Sequence, residues 1–248
     1  MADIIKLVTS DAGEKLRPIF DSIAENGLPD NCEVIYKGPR NLLATLDQGT
    51  INVKQFGIPS FPNNFIYGKL RKSKARRSFE HAHRLLQLGF DTPLPYAYIE
   101  IYRRNALGIP MLRRSYYICR HLPLDNIRLW EGHPDLPELV DQWGAEIARL
   151  HAAGVWMKDH SAGNVLLGRK DNGEFTFSYV DLNRIRFGVH STRRLLRMFK
   201  SVSTSAHFTL LLARAYARAA GKNEQQVVHD VKKIFRKFNH IHQKSQRD

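Results

Sequence analysis

Gly154-Val-Trp-Met-Lys-Asp-His-Ser-Ala-Gly-Asn-Val-Leu-Leu167 sets Asp159 five residues before Asn164 and ends in a short apolar run. Asp and Asn favour turns for local hydrogen-bonding reasons, so the pair alone carries little. Its flanks carry more. Upstream, Asp135 stands as an N-cap with Glu138 three residues later, and Leu136, Val140, Trp143, Ile147 and Leu150 recur on one face, which predicts a buried helix closed by Gly154. Downstream, Lys170-Asp-Asn-Gly173 is a hairpin turn between the apolar runs 165–167 and 175–180. A hairpin brings its ends together, so Asn164 and Asp181 should sit side by side, close enough to share a cation.

The N-terminal half reads differently. Asp11, three residues before Glu14, followed by Leu16, Ile19, Phe20 and Ile23, predicts a helix over about 11–26. The runs 32–36 (CEVIY), 41–46 (NLLATL) and 50–56 (TINVKQF) are rich in β-formers and separated by Lys37-Gly-Pro-Arg40 and Asp47-Gln-Gly49, which predicts three antiparallel strands. The two-residue strand period puts Ile51 and Val53 on one side and Lys54 on the other. A Pro-rich loop, 57–64, precedes a helix over about 73–88 with Ala75, Phe79, Ala82 and Leu86 in its stripe and Gly89 at its end. Thr92-Pro-Leu-Pro95 separates it from two further strands, 96–103 and 114–119. The expected fold class is α+β in two lobes. Residues 1–121 form a lobe with a five-stranded antiparallel sheet and one principal helix, and residues 122–248 form a small, mostly helical lobe.

Composition bounds the function. The 248 residues are 43% apolar, enough for a sizeable core, and show no disordered or collagen-like bias. Two cysteines, Cys32 and Cys119, form no disulfide framework or metal-ligand pair, and the N-terminus reads as neither signal nor membrane span, so the expectation is a cytoplasmic chain, soluble or peripheral. The formal net charge of +14 implies attraction to polyanions, with the densest cluster in Lys69-Leu-Arg-Lys-Ser-Lys-Ala-Arg-Arg77. A C-terminal stripe of Val227, Val231, Ile234, Phe238 and Ile241, with lysines and arginines largely on other faces, suits packing onto the lobe or contact with an anionic membrane.

An Asp followed five residues later by an Asn is also the catalytic-loop spacing of kinases. Phosphoryl transfer needs countercharge for the nucleotide, magnesium on the phosphates and a carboxylate to accept the attacking hydroxyl's proton. Asp159 fits the base. Asn164 and Asp181 are hard oxygen ligands of the kind magnesium takes in small number beside water and phosphate oxygens. Lys54, from the third strand, reaches the phosphates of ATP, and Glu80, on the following helix, holds Lys54 by an ion pair. Gly38 and Arg40, in the first hairpin turn, supply phosphate contacts in place of a full Gly-rich loop, since Lys37-Gly-Pro-Arg-Asn41 has a single glycine. His151 reads as a structural histidine at a helix end, and His160 as a cover for the loop or an orienter of substrate.

The run from Leu150 to Leu167, together with Val180-Asp-Leu-Asn-Arg184, resembles the lipopolysaccharide kinase family of Kdo/WaaP type, and 72–80 and 88–93 are similar to one branch of it. The resemblance covers roughly residues 30–200. It implies a protein-kinase-like fold and transfer of phosphate from ATP, with Mg2+, to a Kdo or heptose hydroxyl of lipopolysaccharide inner core at the cytoplasmic face of the inner membrane. It implies the same roles for Asp159, Asn164, Asp181, Lys54 and Glu80. The chain departs from protein kinases in Met157-Lys158 before the Asp, in Asp181-Leu-Asn183 and in having no Ala-Pro-Glu. Only 67 residues follow Asp181, which favours a small or glycolipid acceptor over a protein one. Two alternatives stay open: a kinase of a soluble small molecule, as in aminoglycoside or choline kinases, and a non-catalytic basic pseudokinase that binds nucleic acid.

Overall fold

The computed structural model describes residues 3–57, 72–130, 133–203 and 205–245, with side chains as far as residue 238. The expected Pro-rich loop therefore lies, beyond Gly57, outside the described residues, as do Lys69 and Arg71 of the basic cluster and the Ile241 side chain. The chain divides into two compact units. One comprises the chain up to Gln87 with Pro93–Pro123, and the other comprises Leu88–Thr92 with everything from Leu124 onward.

The first unit is an antiparallel sheet of β1 (Ile4–Thr9), β2 (Glu33–Lys37), β3 (Asn41–Leu46), β4 (Ile51–Phe56), β5 (Pro95–Arg104) and β6 (Pro110–Arg120), in the order β1-β5-β6-β4-β3-β2. It has six strands, not the expected five. The extra one is β1, which pairs with β5 from Ile4 opposite Tyr102 to Thr9 opposite Ala97. The expected helix over 11–26 is shorter than predicted: Asp11–Leu16 is 3-10 and only Arg17–Asn26 is α-helical (α1). Pro18 explains the difference. It has no N–H to offer Glu14 in an α-helix begun at Asp11, yet it sits without penalty in the first turn of one begun at Arg17.

On one sheet face Phe20, Ile23 and Ala24 of α1 pack against Ile51, Val53, Ala97, Ile99, Tyr116 and Ile118, all buried. Each large side chain there contributes roughly 1.5–3 kcal/mol of transfer free energy. The other face carries α2 (Lys74–Gln87), with Ala75, Phe79 and Ala82 buried and Phe79 edge-on to Tyr98 at 5.3 Å. Ser73 caps α2, its Oγ accepting from the Arg76 N–H at 3.0 Å, and Gly89 follows at φ 76°.

The second unit is built on α3 (Leu136–Ala152), α4 (Thr192–Leu195), α5 (Ala206–Ala219) and α6 (Glu224–Ser245). Asp135 occupies the N-cap position of α3 without a side-chain cap bond, its carboxylate accepting instead from Arg169 at 2.8 Å. Of the α6 stripe Val227 and Val231 are buried, while Ile234 and Phe238 are half-buried and Phe235, outside the expected stripe, is buried beside them. Among the described residues no helix is long and apolar enough to cross a membrane.

Gly144 is where α3 and α5 meet most closely. A Cβ there would lie 2.5 Å from the Ala215 Cβ and 2.7 Å from the Tyr216 nitrogen, a collision with backbone that no rotamer relieves. Gly144→Ala should therefore destabilise despite alanine's gain of up to about 1 kcal/mol in helix propensity, because overpacking costs about 1–3 kcal/mol. A melting midpoint lower by about 2–8 °C is the expected readout, and an unchanged midpoint would refute the contact.

Candidate active site

The second unit assembles the loop around Asp159. Trp156–Met157 (β7) pairs antiparallel with Ile185–Arg186 (β10), Met157 opposite Ile185, so residues 158–159 run beside 183–184. Val165–Arg169 (β8) and Phe175–Tyr179 (β9) form the predicted hairpin with Val165 opposite Tyr179. Its turn closes with Gly173 donating to the Lys170 carbonyl at 2.9 Å. The hairpin brings together what it was expected to: the Val180 N–H donates to the Asn164 carbonyl at 3.0 Å, one residue short of Asp181.

Within the loop the backbone carbonyl of Asp159 accepts from the Ser161 N–H at 3.0 Å and from Asn164 Nδ2 at 2.9 Å. Spending Nδ2 on the loop leaves the Asn164 Oδ1 to act as an acceptor. Asp181 adopts a left-handed conformation, φ 58° and ψ 48°, which non-glycine residues enter at a cost and which clusters at functional sites. Its Oδ1 accepts from Asn183 Nδ2 at 2.9 Å. Asp159, Asn164 and Asp181 line one cleft, together with Lys158, Arg184 and the apolar Met157, Val180 and Ile185. Among the described residues no three His, Cys, Asp or Glu side chains group as a metal site. One amide oxygen and one carboxylate nevertheless suit magnesium, which completes its octahedron with water and phosphate.

The Asp159 carboxylate has a partner that no sequence signal identified. Arg184 Nη1 lies 3.1 Å from Oδ1 and 2.8 Å from Oδ2. The only clue in the sequence was its place three residues after Asp181. His160 also lines the cleft but is buried, 5.4 Å from the Trp143 ring and 5.9 Å from that of Tyr179. Burial, with a smaller push from His151, drives its pKa down to about 3.

The remaining predicted residues belong to the first unit. Lys54 lies mid-strand on β4, opposite Leu43 and Tyr117, its ammonium 5.6 Å from the Phe56 ring centre. Gly38 and Arg40 form the β2–β3 turn, where Gly38 N–H donates to the Asn41 carbonyl at 2.9 Å and Gly57 N–H to the Arg40 carbonyl at 2.6 Å. Glu80 on α2 differs from expectation. Its Oε2 pairs with Lys72 at 2.7 Å and its Oε1 with Arg76 at 2.9 Å, in place of the expected pairing with Lys54. Burial works to raise the Glu80 pKa, and the two cations outweigh it, so the net direction is down.

Scanned against protein-family models and curated proteins, the sequence matches none. Solved structures do match. WaaP in complex with acyl carrier protein aligns at TM-score 0.63 and 18% identity, over 96% of this chain and 98% of that one. The GDP complex of aminoglycoside 2'-phosphotransferase-IIIa aligns at TM-score 0.51 and 11% identity, over 91% of this chain and 89% of that one. At such identities the likeness speaks for architecture, and the architecture is the kinase-like α+β fold expected from the sequence.

Proposed function

We propose that this chain is a kinase that transfers the γ-phosphoryl group of ATP, with Mg2+, to a sugar hydroxyl of lipopolysaccharide inner core, a Kdo or heptose. The observation that carries the reading is one cleft holding a carboxylate, an amide and a second carboxylate, Asp159, Asn164 and Asp181, on a kinase-like fold. Asp159 accepts the proton of the attacking hydroxyl as its oxygen bonds to phosphorus and the bond to ADP breaks. Asn164 and Asp181 hold magnesium, which when bound neutralises charge on the phosphate oxygens. Lys54 and the Gly38–Asn41 turn take the nucleotide phosphates, and Glu80 orders the base of α2 through Lys72 and Arg76. The net charge of +14 favours an acceptor rich in phosphate and carboxylate, at the anionic cytoplasmic face of the inner membrane.

A soluble amino-sugar acceptor is the second reading, motivated by the likeness to an aminoglycoside phosphotransferase. Transfer of labelled phosphate from ATP to purified core glycolipid and to soluble aminoglycosides separates the two. Label on the glycolipid is the expected result, and label on aminoglycosides alone would replace this reading with the second.

A further inference from the structure

The Asp159–Arg184 contact uses only part of the arginine. Nη1 alone straddles the carboxylate, 3.1 Å from Oδ1 and 2.8 Å from Oδ2. A guanidinium carries five N–H donors in a rigid fork, and among the described residues Nε and Nη2 make no hydrogen bond. The side chain is 44% exposed, so those donors are reachable from the cleft that Arg184 lines with Asn164 and Asp181. Position is fixed from the backbone. The pairing of Met157 with Ile185 sets Arg184 beside the residue preceding Asp159, and the 3-10 turn Leu182–Arg184 ties it directly to Asp181.

The charge around this contact is unbalanced. The Lys200 ammonium, on the 3-10 segment Leu196–Ser201, has its pKa lowered first by burial and then by Lys158, with Arg197 and Arg184 acting in the same sense and Asp159 against them. Lys200 is thus within electrostatic reach of three other cations, Lys158, Arg197 and Arg184, and an anion entering the cleft beside Asp159 and Asp181 relieves their repulsion.

We propose that Arg184 bridges the catalytic base and the transferring phosphoryl group, keeping Nη1 on Asp159 while Nε and Nη2 bind phosphoryl oxygens. The inference rests on the kinase reading above. In phosphoryl transfer an arginine supplied to the equatorial oxygens stabilises charge that develops in the transition state. Here one side chain also fixes the base relative to that charge. The covalent step is unchanged: the acceptor oxygen bonds to phosphorus, the bond to ADP breaks, the proton passes to Asp159, and Arg184 stays protonated throughout.

The test is calorimetric binding of MgADP and of MgADP with aluminium fluoride, a mimic of the planar phosphoryl group, to the full chain and to Arg184→Ala and Arg184→Lys. The parent should bind the fluoride complex at least about tenfold more tightly than MgADP. Arg184→Ala should lose that increment while its MgADP affinity changes by less than about threefold. Arg184→Lys should recover only part of it, because an ammonium is a point charge and not a fork. An increment preserved in Arg184→Ala, or absent from the parent, overturns the proposal and leaves the kinase reading standing. A parent that binds no magnesium nucleotide overturns both. If Arg184→Ala does not fold, Arg184→Lys decides by the same increment.

Discussion

Asp159→Asn is expected to lower phosphate transfer by about 10²–10⁴-fold, the range typical for loss of a general base, while the loop around it keeps its shape. The structure separates the two effects unusually well. The loop is held by the Asp159 carbonyl, which accepts from Ser161 N–H at 3.0 Å and Asn164 Nδ2 at 2.9 Å, whereas the carboxylate faces Arg184. An amide of the same size leaves the first set intact. It removes the negative charge and the lone pair able to take a proton. The broken pair with Arg184 costs little stability, since the two side chains are 44% and 34% exposed and pairs of that kind contribute about 0–1 kcal/mol. Single-turnover transfer to the core glycolipid proposed as acceptor, measured beside a melting curve, checks both halves. Parental transfer rates in a folded Asp159→Asn protein would remove Asp159 from the role of base.

The parts legible in the sequence were those written in short-range chemistry. Lys170-Asp-Asn-Gly173 announces a turn, and the turn alone determines that Asn164 and Asp181 become neighbours. Gly89 and Gly154 mark helix ends because each sits at positive φ, 76° and 70°. What escaped depends on pairings with no local signature. In β1 the adjacent Ile4 and Ile5 are both exposed, 40% and 44%, so this edge strand shows no alternation to read. Glu80 takes Arg76, one helical turn earlier, a neighbour that the helix itself supplies. Arg184 meets Asp159 only because two two-residue strands pair. Such strands are too short for any periodicity, so Arg184 carries no signature in the sequence that ties it to Asp159.

Two buried histidines should make the protein lose stability steeply just below neutral pH. His151, on α3, sets Nε2 3.4 Å from the Met198 sulfur and lies edge-on to Tyr216 at 5.1 Å. His160 packs against the rings of Trp143 and Tyr179. Burial, with Lys222 adding to it, lowers the His151 pKa to about 3, and burial with His151 does the same for His160. In the unfolded chain each titrates near 6.5. Above that value both states are neutral and the histidines favour neither. Below it the unfolded chain binds two protons that the folded chain refuses, so stability falls by up to about 1.4 kcal/mol per histidine per pH unit until the folded pKa is reached. Between pH 7.5 and 5 the pair removes about 4 kcal/mol, a large share of the roughly 5–15 kcal/mol typical of a folded domain. That window lies above the ordinary carboxylate range; Glu146, whose pKa burial raises, works against the loss, and His83, whose pKa burial lowers, adds to it. Urea unfolding at pH 7.5, 6 and 5 reads the slope, and His160→Phe, which keeps an aromatic ring beside Trp143 and Tyr179, should reduce it by about half. A stability that stays level across the window would mean that both imidazoles take up protons in the folded state, which their packing in the second unit's core opposes.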